Sequence, residues 1–359
     1  MEYKILVLNP GSTSTKLAVY EDETPLFVET LVHTAEELAP FKRVVEQYSF
    51  RMDLVLDCLN RFQIKPETLD AIVSRGGLLA PIRAGAYTIN EDMIWQLEDR
   101  PRQEHASNVG PMIAYSLAQK LHIPAIIYDG ITVDEMKDIN RITGMPDMQR
   151  KGIGHNLNTR AVAMRYAKEI GKKYEDITVI AVHLGGGITV NLHHNGKIED
   201  CISDEEGPLS PERAGGLPMY DVISCCFREG MTKEKMMDLV KRKGGFMAYL
   251  GTTDSRKVEH LAESGDETAK TVYEAMALNV AKYIGKLAPG VDGKVDAIIL
   301  TGGIAYSKYI TNYIQQRVSF IAPVIVYPGE DEMQSLAWGC LRVLRGQETA
   351  RTYKRVENL

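Results

Sequence analysis

At 359 residues, 44% of them apolar and 25% charged, the chain is too hydrophobic for a disordered polymer and large enough for two cored domains rather than one. Its net charge of −6 is small and carried by intermixed signs, so no footprint for nucleic acid or an anionic membrane is expected, and small molecules are the expected partners. No apolar run approaches the ~20 residues of a membrane helix, and the β-type run at the amino terminus stops at Asn9-Pro10, too soon for a signal peptide, so a cytoplasmic protein is expected.

In chain order, Tyr3 to Leu8 reads as a buried strand, followed by the loop NPGSTSTK (Asn9 to Lys16) and a second β-prone run from Leu17 to Tyr20. DAIVSRGG (Asp70 to Gly77) and AIIYDG (Ala125 to Gly130) read as further strands. Between them, Val109, Met112, Ile113, Ser116, Leu117 and Leu121 share one helical face, which predicts a helix over 107–121 capped by Ser107 or Asn108. The strand, glycine turn, strand grammar returns around Gly185-Gly186-Gly187, and Asn195-Gly196 signals a type I′ hairpin in which the His193-His194 pair is expected to be exposed and inert. An amphipathic helix over 271–287 then precedes DAIILTGG, a strand from Asp296 to Gly303. The repetition reads as an internal duplication into two α/β domains, 1–150 and 151–330, with the C-terminal helix of 331–359 joined to the first. Cys58, Cys201, Cys225, Cys226 and Cys340 lack metal-ligand spacing and are expected to be reduced, buried thiols.

Three strands thus end in glycine-bearing turns: NPGSTSTK, HLGGG and LTGG. Such turns point successive backbone N–H groups into one concavity, which suits phosphate. One such turn is commonly a plain β-turn; three in one chain carry more weight. Neither a P-loop nor a dinucleotide-binding fingerprint is present.

Hairpin-led, duplicated α/β domains with phosphate turns are similar to the actin, hexokinase and heat-shock-70 superfamily. That resemblance implies a two-domain actin-like ATPase fold, ribonuclease H-like, with a nucleotide cleft between the domains. Sugar kinases of the superfamily carry Asp where this chain has Asn9. The spacing of Asn9, Gly11, Ser12, Ser14 and Lys16 resembles the N-x-G-S-x-S-x-K of the acetate kinase group. HLGGG at His183 resembles its HLGNG, with Gly186 in place of Asn, and LTGGI at Leu300 its FTGGI, followed here by Ala305-Tyr306 instead of Glu-Asn. SRGGLLAPI, GHNLNTRAVA, EEGPLSPERAGGLP and PGEDEMQSLAWG are closer in wording to butyrate kinases, as is the length.

The resemblance implies transfer from ATP to a short-chain carboxylate, with ADP and an acyl phosphate as products and Mg²⁺ as cofactor. A carboxylate, with a reference pKa of about 4, is already ionised at pH 7 and needs no general base. The obstacle is repulsion between two anions, which positioned cations relieve. Arg75, ending a strand, and Arg213, in a Pro- and Gly-flanked loop, are the candidates, since a guanidinium forks onto carboxylate or phosphate. By the same resemblance His155 donates to the transferring phosphoryl group, and Asp129, catalytic or metal-holding, would complete a Mg²⁺ site with Asn9 and Glu332. Ser12, Ser14, Lys16, His183, Gly185, Gly186, Gly187, Gly302 and Gly303 would contact the nucleotide. Asp254 and Arg256 read as a structural ion pair. Because the chain passes directly from Arg75 to Gly76, without the longer Val-bearing wall of acetate kinases, the pocket is expected to admit three or four carbons. Butyrate or a branched four-carbon acid is the expected substrate, and an acetate or propionate kinase is the alternative. A sugar kinase would need a carboxylate base, for which Asp129 could serve, but Asn9 and the ERAGGLP loop argue against it. An ATP-dependent switch or chaperone-like ATPase would need an appended domain for which 359 residues leave no room. A homodimer or higher homo-oligomer is implied by the resemblance alone.

Overall fold

The apolar run that opens the chain becomes β1 (Lys4–Pro10), an interior strand of a seven-stranded sheet in a computed structural model that describes residues 2–203 and 205–357. β2 (Ser14–Glu21) and β3 (Thr24–Val32) continue from it as antiparallel neighbours, while β4 (Ala71–Ser74) and β6 (Ala125–Tyr128) lie parallel on its other side. β5 (Ala86–Thr88) and β12 (Arg351–Thr352) extend that edge.

The second sheet repeats the plan. β7 (Val179–Leu184), β8 (Ile188–His194) and β9 (Lys197–Ile202) form the meander, and β10 (Ala297–Gly302) and β11 (Val324–Pro328) the parallel side. The orders β3-β2-β1-β4-β6 and β9-β8-β7-β10-β11 correspond strand for strand, so the duplication inferred from glycine turns extends to five strands of each sheet. The chain divides into one unit of Met1–Asp134 with Asp331–Leu359, and a second of Glu135–Glu330.

Central strands here are apolar on both faces because both are covered. In the second unit, Ile180, Val182 and Leu300 face the helix Glu267–Leu287 through Val272, Met276 and Ile284. Val179, Ala181 and Ile299 face the helix Asn156–Glu169 through Val162, Ala163 and Ala167. In the first, the helix Glu332–Leu344 packs on β1 and β4. Among the described residues no helix is long and apolar enough to cross a membrane.

Three expectations change. Residues 135–150 belong with the second unit, because the backbone of edge strand β9 takes their hydrogen bonds: Lys137 N donates to Glu199 O (3.0 Å), Asn140 Nδ2 to Glu199 O (2.9 Å) and Arg150 Nη2 to Cys201 O (2.9 Å). The unit boundary therefore falls after Asp134. His193 is fully buried rather than exposed, its Nδ1 paired with Tyr174 Oη at 2.8 Å. Only Cys58, Cys201 and Cys340 are buried; Cys226 is exposed on the helix Met219–Cys226, which buries none of its residues.

Candidate functional site

In the first unit the parallel strands β1, β4 and β6 end side by side, and such carboxyl ends are where open α/β sheets collect ligand groups. Asn9 stands near the end of β1, opposite Lys16 across the hairpin, and Gly11 N donates to Ser14 O at 2.8 Å to close the turn that exposes Ser12. Asn9 Nδ2 donates to Glu332 Oε2 at 2.7 Å, and the other carboxylate oxygen of Glu332 lies 3.6 Å from Arg75 Nε. Arg75 Nη1 donates to the carbonyl oxygen of Asp129 at 2.6 Å. Asp129 itself is 2% exposed, with Oδ1 accepting from Gly85 N at 2.6 Å. Asn9, Arg75, Asp129 and Glu332 thus form one chain of polar contacts, in which Asp129 acts on Arg75 through its backbone.

In the second unit, the β7–β8 turn carries Gly185, Gly186 and Gly187. A Cβ on Gly187 would stand 2.6 Å from Arg213 Nη1, so glycine is what lets that guanidinium lie against the turn. Ser210 Oγ donates to Gly186 O at 2.6 Å, tying the ERAGG loop to the same backbone. His183 is 2% exposed and stacks on His155 with centroids 3.9 Å apart. Its Nδ1 pairs with Asn158 Oδ1 at 2.9 Å, and its Nε2 lies 3.6 Å from Glu330 Oε2. Burial above all, with the Arg213 charge, holds His183 well below the ordinary imidazole range, so it is neutral at pH 7. Gly302, ending β10, exchanges backbone hydrogen bonds with Gly329, and Gly303 follows it onto the wall of a cavity of about 670 Å³. Ser255, Arg256, Glu259, Glu263 and Tyr306 also line that cavity. The Asp254–Arg256 pair is bidentate, at 3.0 and 2.9 Å, and solvent-exposed.

The sequence reading did not single out Arg51, Asn158, Thr189 or Glu330. Arg51 is fully buried behind the first turn, with Nη1 donating to Ser14 O (3.0 Å) and Thr15 Oγ1 (2.8 Å) and Nε to Gln47 Oε1 (3.0 Å). Among the described residues no carboxylate pairs with it, and burial lowers it to about 10. One signal was available: Arg51 shares a helical face with Val55, Cys58 and Leu59, a charge on an apolar stripe.

The acetokinase family model matches residues 147–322. Butyrate kinase 2 and butyrate kinase 1 of Clostridium acetobutylicum are 49% and 48% identical to the chain, over 99% and 98% of it and 100% of their own lengths. Among solved structures, Porphyromonas gingivalis acetate kinase aligns with a TM-score of 0.80 at 20% identity, over 95% of this chain and 100% of its own. A propionate kinase from Francisella tularensis aligns with a TM-score of 0.71 at 18% identity, over 94% and 98%. These two place the fold: it is the two-domain actin-like ATPase fold.

Proposed function

The chain belongs to the acetokinase family, alongside its butyrate kinases, and from that premise we propose that it transfers the γ-phosphoryl group of ATP to butyrate, reversibly, giving ADP and butyryl phosphate. What supports the reading most is Arg75, a cation fixed at two of its nitrogens by the Asp129 carbonyl and Glu332. A carboxylate acceptor needs such a fixed fork and no base.

Arg75 orients the butyrate carboxylate, and its rigidity spares the entropy of ordering the side chain in each turnover. Arg213 and His155 face the charge spread over the equatorial oxygens of the phosphoryl group, where positioned donors count most. Each unit offers a phosphate turn of its own: the backbone N–H groups of Gly11–Ser14 with Lys16 in the first, and those of Gly185–Gly187 in the second. The nucleoside occupies the cavity walled by Gly303, Tyr306 and Arg256.

Asn9 and Glu332 fit Mg²⁺: both offer hard oxygen, and an ion that keeps most of its waters needs few protein oxygens. Bound there with ATP, Mg²⁺ would neutralise phosphate charge. Asp129, with one oxygen committed to Gly85, serves this site by holding Arg75 in place.

The direct passage from Arg75 to Gly76 leaves room for a four-carbon chain, each added buried methylene contributing about 0.8 kcal/mol. Trapping the acyl phosphate as hydroxamate, with Mg-ATP and acetate, propionate, butyrate, isobutyrate or valerate in turn, tests both parts. Highest turnover with a four-carbon acid is expected. Acetate as best substrate would keep the mechanism and overturn the pocket, and no product from any acid would overturn the reaction.

A further inference from the structure

The register of the β7–β8 hairpin sets Thr189 directly across from His183. Thr189 is 1% exposed, and its hydroxyl meets His155 twice: Oγ1 accepts from His155 N at 3.3 Å and lies 2.8 Å from His155 Nδ1. The approach needs Gly154, because a Cβ there would stand 2.6 Å from Thr189 Cγ2 and 3.0 Å from Oγ1. One hairpin therefore supplies both the ring on which His155 stacks and the hydroxyl that faces its Nδ1.

A threonine hydroxyl has one proton to give. Its oxygen already receives the His155 backbone N–H, and the only acceptor beside it among the described residues is His155 Nδ1. If Nδ1 carried a proton, two donors from one residue would converge on Oγ1, and the buried Thr189 proton would have no acceptor, an arrangement that folded proteins avoid. The hydrogen-bond balance is met only when Thr189 donates to an unprotonated Nδ1, which leaves the ring proton on Nε2. We propose that Thr189 is a positioning residue that fixes His155 as the neutral Nε2–H tautomer, so that the ring presents one directed donor. The consequence for catalysis rests on the reading of His155 as a donor to the transferring phosphoryl group. A ring free to place its proton on Nδ1 would offer that group a lone pair, which repels it.

Two variants separate the hydroxyl from its packing. Thr189→Val keeps the shape and the methyl against Gly154 but removes the hydroxyl; Thr189→Ser keeps the hydroxyl and removes the methyl. In the full-length protein, Thr189→Val is expected to lower kcat by about 10- to 100-fold, the range of partners that orient a functional histidine, with KM for ATP and butyrate moving much less. Thr189→Ser should stay within about threefold of the parent. ¹⁵N spectra of histidine-labelled parent protein should show His155 protonated on Nε2 and bare at Nδ1. Parent-like turnover in Thr189→Val, or a Thr189→Ser protein no more active than Thr189→Val, would overturn the proposal, as would a proton on Nδ1 in the parent spectrum. If the parent forms no acyl phosphate, the reaction assigned above falls, while the spectrum of the parent still decides the role of Thr189.

Discussion

Arg75 and Arg213, both proposed above to bring two anions together, differ in what fixes them. Arg75 is held by an ion pair and a carbonyl, Arg213 by close contact with a glycine turn. Replacing either by Ala is expected to lower kcat/KM for butyryl phosphate formation by roughly 10²- to 10⁴-fold with the fold intact. Near-parental activity in the hydroxamate assay would remove that arginine from the mechanism. Arg51 is a third case, a buried cation that among the described residues bonds only to neutral oxygens of the first turn and of Gln47. A phosphate seated on that turn would supply its missing counter-charge. Arg51→Met should therefore raise KM for ATP by about tenfold or more, since charge-assisted contacts are roughly twice as strong as neutral ones, and leave KM for butyrate nearly unchanged. Equal effects on both substrates would reduce Arg51 to a structural clamp.

At the scale of elements, β8 organises the second unit's polar groups. Thr189, Asn191 and His193 alternate along it and so share one face. Thr189 meets His155, Asn191 Nδ2 donates to Asn156 Oδ1 (2.9 Å) and Thr159 Oγ1 (2.8 Å), and His193 meets Tyr174. The stripe secures the first turn of the helix Asn156–Glu169, on whose threshold His155 stands. Polar residues at every second position ordinarily mark a solvent face. The helix covers that face, so the same alternation instead specifies a buried hydrogen-bonded seam. Burial, with the Arg160 charge, pushes His193 down to about 3. The unfolded chain takes up a proton there near pH 6.5 and the folded protein does not. This contribution to stability is complete above about pH 6.5 and is lost as pH falls towards 3. Between pH 7 and 5 the parent should lose about 2 kcal/mol more than His193→Gln in urea unfolding; equal losses would show that His193 is protonated in the folded protein too.

On the whole molecule, several exposed large apolar residues gather in and around the helices Met219–Cys226 and Lys233–Lys241. Tyr220 and Phe227 are 85% and 86% exposed, and Met219, Ile223, Met237 and Leu239 are exposed with them. Exposed apolar groups gathered in one segment commonly mark a contact site, and the expectation that this chain forms a homo-oligomer can be tested there. Sedimentation should find the parent as a dimer or larger assembly, and Tyr220→Asp with Phe227→Asp should shift it to monomer. A monomeric parent would rule this surface out as a stable contact.

The sequence by itself determined the repeated strand grammar, the glycine turns and the two arginines, because these rest on local chemistry: buried strands need apolar runs, and backbone that must pass close to a charged group needs glycine. It also carried the family, since NPGSTSTK, GHNLNTRAVA and ERAGG are contiguous words. Only the tertiary structure decided which residues support those words. Arg51, Thr189 and Asn158 lie 25 to 36 residues from the groups they hold when counted through Thr15–Arg51, His155–Thr189 and Asn158–His183, on elements whose own patterns suit other roles. Residues 135–150 joined the second unit for a similar reason, since an edge strand accepts whatever backbone donors the fold delivers to it. Pairing across such separations is set by sheet register and helix docking, which no short stretch of sequence encodes.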